Sequence, residues 1–516
     1  MPISLQKRGS ILLIDGLDVS SPGEYISDNA ATSVQNFRVS RGLLKKREGT
    51  TALGSAISTN DEIMAGRELT REGVSYNVRV GLDKMEYYNT GASAWSDITG
   101  STTDLTGSTS DLIDTAVPVL TGKRILCVSN GIDAIRKWTG TGDIVLLGGL
   151  PPVAKFIQEY KTYLVCAHIL GGVDVAQRVQ WCDTADPETW SGGNSGSVDL
   201  IEDGADITGL NIFGDYVAVH KATSIYLGAL VSSNDIFRFD RRSVGKGTIA
   251  NHTIVNLPTG EQVYLADDGI RLFNGVSAPL INQSANDELR DELNQEYAFK
   301  SWAVLVSDRD EVWVAVTLGS ETTPDTVYKY NYVTQKLYKD TRSSITAAWR
   351  AVTASSSRTW DQLSGTWDAQ TWRWNDSFIN TDFTEIFLGN SIGQTYKVDG
   401  AALNDGSSAI NAIWASKDYQ ADEIGQMCRW LEMQLWARGS GSLTVEYSTD
   451  RGNTWFEMGG SPYTLTSDFP DDDSPIMFYF DVVATKFRVR LRINATGSIL
   501  DIKQFKLGMK PREFRR

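Results

Sequence analysis

In the stretch "EYSTDRGNTW", residues 446–455, two hydroxyls, a carboxylate and an indole fall in the pattern S-x-D-x-G-x-T-W: Ser448, Asp450, Gly452, Thr454 and Trp455. A carboxylate beside an aromatic ring raises the question of sugar cleavage. Local physics offers a different use. Gly452 permits a turn, and the Asp450 carboxylate can accept hydrogen bonds from the turn's own N–H groups. Trp455 can then pack against the hairpin. The pattern occurs once, with no matching arginine arrangement, so the expectation is a structural turn rather than a catalytic centre.

Other candidates for chemistry are sparse. His168, His220 and His252 are far apart and lack metal-ligand spacing. Cys127, Cys166, Cys182 and Cys428 show no C-x-x-C and read as buried reduced thiols. "DFPDDDSP" (468–475) could crowd oxygens around calcium, but it lacks an EF-hand register and reads as a solvated loop. Neither a phosphate-binding loop nor G-x-S-x-G occurs, and the Asp267/Asp268 pair sits in a hairpin turn. No catalytic, metal or cofactor constellation emerges, and the chain is expected not to be an enzyme. "TWDQLSGTWDAQTWRWND" differs: Trp360, Trp367, Trp372 and Trp374 lie in a polar stretch without strand or helix periodicity. Such rings serve as anchors at protein interfaces, with local packing and sugar stacking as the alternatives.

The elements that must position these residues are strands. Of 516 residues, 41% are apolar and 22% charged, as in globular proteins with a substantial core. Gly (46), Trp (15) and Tyr (19) are plentiful, which favours strands and tight turns. The net charge of −15 argues against gripping nucleic acid, which takes a basic footprint. The apolar run "ILLI" after Lys7 and Arg8 is too short for a signal peptide. No later stretch is long enough to span a membrane, so synthesis and folding in a reducing cytoplasm are expected.

Alternating runs joined by Asn-Gly or Asp-Gly recur along the chain, at Asn130-Gly131, Asp268-Gly269, Asn274-Gly275 and Asp399-Gly400. These pairs tolerate the positive φ angles of type I′ turns. The hairpins group near 60–98, 110–149, 153–201, 207–244, 248–281, 300–340 and 345–399. Many groups carry an aromatic near their final strand: Trp95, Trp138, Trp190, Phe239, Phe273, Tyr338 and Tyr396. A spacing of ~40–50 residues with four strands per unit predicts a β-propeller of roughly seven blades. "SANDELRDELNQEYAF" predicts one helix on the outside of a blade, with Ser284 as N-cap and Leu289, Leu293 and Tyr297 on one face. After residue 404, clean alternation over roughly 110 residues predicts a β-sandwich. The expected organisation is all-β: an N-terminal arm and hairpin (1–52), a propeller (53–404) and a sandwich (405–516).

Two resemblances add to this. The S-x-D-x-G-x-T-W phrase is similar to the Asp-box of sialidases. In those enzymes the motif lies away from the active site, repeats in several blades and accompanies an arginine cluster and a Tyr/Glu pair, none of which is matched here. The opening "DGLDVSSPGEYISDNAATSVQNFRVSRGLLKKREGTTAL" resembles the start of the tail hub proteins of short-tailed bacteriophages, also called nozzle or stabilisation proteins. It carries an acidic-Asn-Ala helix start (Asp28, Asn29, Ala30), a Gln-Asn pair (Gln35, Asn36) and a Gly-x-Leu hairpin (Gly42, Leu44). Lys46-Arg47 and Gly49-Thr50 follow. Later phrases at 217–228, 263–275 and 327–339, with the Trp-rich loop, come in the same order. Arg47-Glu48-Gly49 departs from the commoner Arg-Pro-Gly.

The tail-hub resemblance implies a structural virion protein of the phage tail with a propeller body, assembled in the bacterial host cytoplasm. It implies a homohexameric ring below the portal and adaptor that extends the DNA channel, holds the genome in and passes it during ejection. Tail fibres, spikes or needle proteins would attach to it. Double-stranded DNA would traverse an acidic lumen without specific binding: cationic walls would form many phosphate contacts and stall it, whereas like charge lets it pass. The alternative is a glycan-binding or glycan-cleaving propeller tail protein, which a repeated Asp-box or an arginine–carboxylate cluster would favour.

Overall fold

The computed structural model describes residues 6–7, 9–58, 61–100, 105–170, 175–231, 236–281, 283–352, 384–420 and 426–511. Antiparallel sheets succeed one another along the chain. Blade one is Ala65–Arg71, Val74–Val80, Met85–Asn89 and Ala94–Asp97. Blade two is Asp114–Ala116, Leu126–Ser129, Arg136–Trp138 and Val145–Leu146. Blade three runs from Val153–Tyr160 to Gly196–Asp199, and blade four from Ile207–Phe213 to Phe237–Val244. Blade five has three strands, Val255–Asn256, Gln262–Ala266 and Gly269–Phe273. Blade six comprises Trp302–Val306, Glu311–Val316, Thr326–Asn331 and Lys336–Thr341.

Blade seven closes the ring. Its strands Ile345–Ala351, Glu385–Asn390 and Thr395–Val398 are completed by Thr50–Ala52 from the N-terminal region, with Tyr396 opposite Ala52 and Val398 opposite Thr50. The first strands of blades one to four pack side by side. The short turn Asn251–Thr253 carries the contact on to blade six, blade six meets blade seven, and blade seven returns to blade one. Apolar clusters fill each junction. At the last, Trp349 and Phe387 pack with Ile57 and Ile63, and the Trp349 indole lies on Gly66, where a Cβ would collide with it. The chain is an all-β protein with a seven-bladed propeller body.

The period of the hairpins was legible, but the turn chemistry differs from expectation. None of the Asn or Asp residues in the four Asx-Gly pairs has positive φ, so none forms a type I′ turn. Asn130 and Asn274 instead accept amide N–H groups two and three residues on, stabilising wider loops. The hairpin expected at Asp268-Gly269 turns one residue earlier, since Ala266 pairs with Gly269. Among the described residues, the two-residue loops with positive φ at both positions are Arg41-Gly42 (53°, 73°), Glu72-Gly73 (51°, 81°) and Thr121-Gly122 (49°, 79°). Of the recurrent aromatics, Trp95, Phe239 and Tyr338 do lie in fourth strands. Trp138, Phe273 and Tyr396 lie in third strands, and Trp190 precedes a fourth.

The helix is Gln283–Glu292. It begins before Ser284, so that residue is not its N-cap, and Tyr297 lies beyond its end. Leu289 and Leu293 are buried against blades five and six. The acidic-Asn-Ala phrase starts no helix: Ser27, Asn29 and Ala30 form a turn, and Ala31–Gln35 is a strand.

The sandwich takes strands from both ends of the described chain. One sheet runs Phe37–Ser40, Leu43–Lys46, Ile499–Pro511, Cys428–Ser440, Ile476–Ala484. The other runs Ala31–Gln35, Ala412–Ser416, Arg488–Ile493, Ser442–Ser448, Phe456–Glu457. Alternation sorts the faces: along Arg488–Ile493, Val489, Leu491 and Ile493 are buried while the three arginines between them are only partly so. Ala31–Gln35 also touches the last strand of blade six, in parallel, at Gln35 and Lys339. Residues 31–46 therefore belong to the sandwich, and residues 50–52 to the propeller.

Candidate functional site at the propeller–sandwich seam

The Asp-box folds as a turn between Ser442–Ser448 and Phe456–Glu457. The Ser448 hydroxyl donates to Asp450 Oδ1 (2.7 Å) and accepts the Gly452 N–H (2.8 Å). Asp450 Oδ1 accepts the Thr454 N–H (2.9 Å), and Oδ2 accepts the Thr454 hydroxyl (2.5 Å). Arg451 and Gly452 hold positive φ, 64° and 90°. The Thr454 hydroxyl and amide, with Ser448, pull the Asp450 carboxyl down to about 2. Trp455 lies under the Arg490 guanidinium, 4.2 Å from Cζ to ring centroid. Both carboxylate oxygens are consumed in shaping the loop.

The four tryptophans 360, 367, 372 and 374 lie outside the described residues. The three histidines are dispersed. His168 donates to the Ile207 carbonyl (2.8 Å), and His220 donates to Gln262 (2.8 Å) from a buried strand. Burial lowers the His220 pKa to about 4. All four cysteines are buried thiols, none joined to another in a disulfide. In the acidic loop, Asp472 pairs with Lys503 at 3.3 Å. Among the described residues no group of three or more His, Cys, Asp or Glu side chains could hold a metal ion. No helix among them is long and apolar enough to cross a membrane.

The propeller axis holds a cavity of about 150 Å³ lined by residues of all seven blade units, among them Ala65, Thr115, Gln158, Leu210, His252, Trp302 and Ala347. Asp114 enters it, accepting the Ile157 N–H (3.0 Å), the Thr115 N–H (2.9 Å) and Asn251 Nδ2 (3.2 Å). Burial raises the Asp114 carboxyl and lowers the His252 imidazole. The axis is a plugged polar core with room for a few waters.

The densest buried charge lies where the chain crosses from sandwich to propeller. Arg47 follows the sandwich strand Leu43–Lys46, and Thr50–Ala52 begins the closing strand of blade seven. Arg47 donates from Nη1 and Nη2 to the two carboxylate oxygens of Asp405 (2.9 and 2.5 Å), from Nη2 to the Thr341 carbonyl (3.0 Å), and from Nε to Asn36 Oδ1 (2.8 Å). Burial opposes its charge, yet Asp405 and Asp340 outweigh that and raise its pKa. Asp340, fully buried, is shared by Lys329 (2.8 Å), Arg47 (3.5 Å) and Arg342 (3.9 Å).

Glu48 bridges Arg38 of the sandwich and Arg309 beside blade six (3.0 Å). Burial pushes its carboxyl up, but the two arginines bring it below the ordinary range. Gly49 has no freedom to be anything larger, because a Cβ there would collide with the Asn404 carbonyl. Sequence reading picked out Asn36, Arg47 and Gly49 only as parts of a phrase. It missed Asp340, Arg342 and Asp405, which carry no local signal.

No family model and no curated protein matches the chain. Solved structures with a similar chain include the crystal structure of a mitotic checkpoint complex, at 10% identity and TM-score 0.37 over 69% of this chain and 95% of that one. Another is BamB from Moraxella catarrhalis, at 9% identity and TM-score 0.35 over 67% of this chain and 99% of that one. Likeness this distant carries no inference about function.

Proposed function

We propose that the chain is a structural tail hub, or nozzle, protein of a short-tailed bacteriophage. In this reading six copies form a ring beneath the portal and adaptor, extend the DNA channel and support fibres or spikes, with no catalytic role. The observation that carries it is the ordered set of phrases resembling tail hub proteins, led by the opening from Asp15 to Leu53. The residues of that opening phrase also have a shared physical task. Asn36, Arg47 and Gly49 lock the sandwich to the propeller, so their spacing makes sense in a protein whose two parts must keep a fixed relation under load.

The axial cavity constrains the mechanism. At about 150 Å³ it is far too small for a duplex, whose major groove alone is about 12 Å wide. A channel for DNA must therefore run between subunits of the ring, with each propeller forming part of its wall. Such a ring needs heterologous contacts that close by rotation. The test is the copy number and location of this chain in purified virions, by rotational symmetry of tail images and by mass. Six copies in the tail are expected. One copy, or a location in the capsid shell, would overturn the assignment; twelve would overturn the stoichiometry alone.

A further inference from the structure

The guanidinium of Arg342 makes no hydrogen bond among the described residues. Its side chain is 3% exposed, Asp340 and Asp405 stand off at 3.9 and 3.8 Å, and Nε has no partner. Trp313 covers it, with the ring centroid 4.9 Å from Cζ. Burial and the repulsion of Arg47 lower its pKa to about 10, so it remains charged at neutral pH. Buried guanidinium donors ordinarily find acceptors. Arg342 is among the residues lining a cavity of about 410 Å³ at the seam, a volume in the range of small-molecule sites.

The walls indicate what would fill it. Asp405 is the one carboxylate among the described lining residues, and Arg47 already holds it through two oxygens. The lining also includes Ile345, Leu388 and Ile410, all buried, and Tyr396. We infer that this cavity is a binding site for an organic carboxylate on a short apolar stem, gripped by Arg342 with the stem against Ile345, Leu388 and Ile410. A planar carboxylate matches the guanidinium fork with two parallel bonds. A phosphate would bring more charge beside Asp405 and offer nothing to the apolar wall. This inference stands on the cavity alone and does not depend on the tail hub reading.

The test uses the full chain, with butyrate and a capped peptide carrying one glutamate as probes and inorganic phosphate as the control anion, at constant ionic strength. A ligand that binds only the folded state raises the unfolding midpoint with its concentration. The expected result is a saturable rise with butyrate or the peptide that is absent in Arg342→Met. That variant loses no hydrogen bond, Asp340 keeps Lys329 and Arg47 as its cations, and Asp405 keeps Arg47. A response to butyrate identifies a free small carboxylate as sufficient, and a response to the peptide alone assigns the group to a partner chain. No saturable response to either, an equal rise in the variant, or an equal response to phosphate would overturn the site. If Arg342→Met does not fold, Arg342→Lys replaces it: the ammonium keeps the charge but not the fork, and must weaken binding at least about tenfold, roughly the smallest change expected from losing a charge-assisted bidentate contact. Unchanged affinity there also overturns the proposal.

Discussion

Trp430 and Tyr447 stack on Phe487 in the sandwich, at 4.9 and 5.5 Å, with Leu491 and Trp414 buried in the same core. At the seam, Arg47, Lys329, Asp340 and Arg342 are buried just as deeply, and all four side chains are ionisable. The two regions show different ways of joining strands. Apolar packing stabilises in proportion to the area it hides and is indifferent to small changes of direction. Buried ions lose hydration on entering the protein and recover it only if each meets its partner in one geometry. The sandwich core therefore supplies stability, and the seam supplies alignment. The residues that make the alignment come from the sandwich side (Arg38, Arg47, Glu48), blade six (Lys329, Asp340) and the segment after blade seven (Asp405).

The strongest way to break this contrast is at Asp340, which faces three cations. Asp340→Ala should cost about 3–5 kcal/mol, because it leaves buried charges uncompensated. Urea unfolding would measure it; a loss below 1 kcal/mol (roughly that of an exposed pair) would mean that the seam is wet and that the contrast with the core is mistaken. Next, Leu491→Ala in the sandwich should cost about 2–5 kcal/mol through transfer and cavity terms. Its effect should be independent of salt, whereas the seam substitution should respond to salt as the opened site hydrates. A smaller effect is expected at the crossing itself. Gly49→Ala forces apart two backbone segments and should cost about 1–3 kcal/mol, as overpacking does, with protease susceptibility rising first around residues 47–53.

The smallest effect belongs to the Asp-box. The folded Asp450 carboxyl titrates near 2, below its ordinary 3.8. Its stabilising contribution is thus fully present above the unfolded value and is lost as pH falls through the folded one. Amide exchange at Gly452 and Thr454 should stay protected down to about pH 4 and become faster only below about pH 3 relative to neighbouring loops, as linkage requires. Asp450→Asn should remove that pH dependence while leaving the seam and the propeller unchanged. Exchange that speeds up between pH 4 and 6 would mean that the turn does not hold its carboxylate as described.

Much of the propeller was legible because strand alternation and turns are local. The hairpin groups near 207–244 and 345–399 begin at or beside the first strands of blades four and seven, Ile207–Phe213 and Ile345–Ala351. Turn type was less legible. Asn and Asp favour both tight I′ turns and side-chain-capped loops, and composition does not separate the two. The I′ positions fell instead to Arg41, Glu72 and Thr121, each followed by glycine, where strand pairing on both sides imposes the conformation.

The all-β class, the blade period and the turn role of Ser448, Asp450 and Thr454 follow from local patterns along the chain, strand alternation and turns a few residues long. Which strand closes the ring, which charges pair and which guanidinium lacks an acceptor among the described residues depend on the folded chain. Thr50–Ala52 meets Thr395–Val398, Arg47 reaches Asp405 and the Thr341 carbonyl, and Lys329 reaches the Phe37 carbonyl. A buried charge is stable only beside a particular partner, and contacts across some 300 residues leave no periodic trace along the chain.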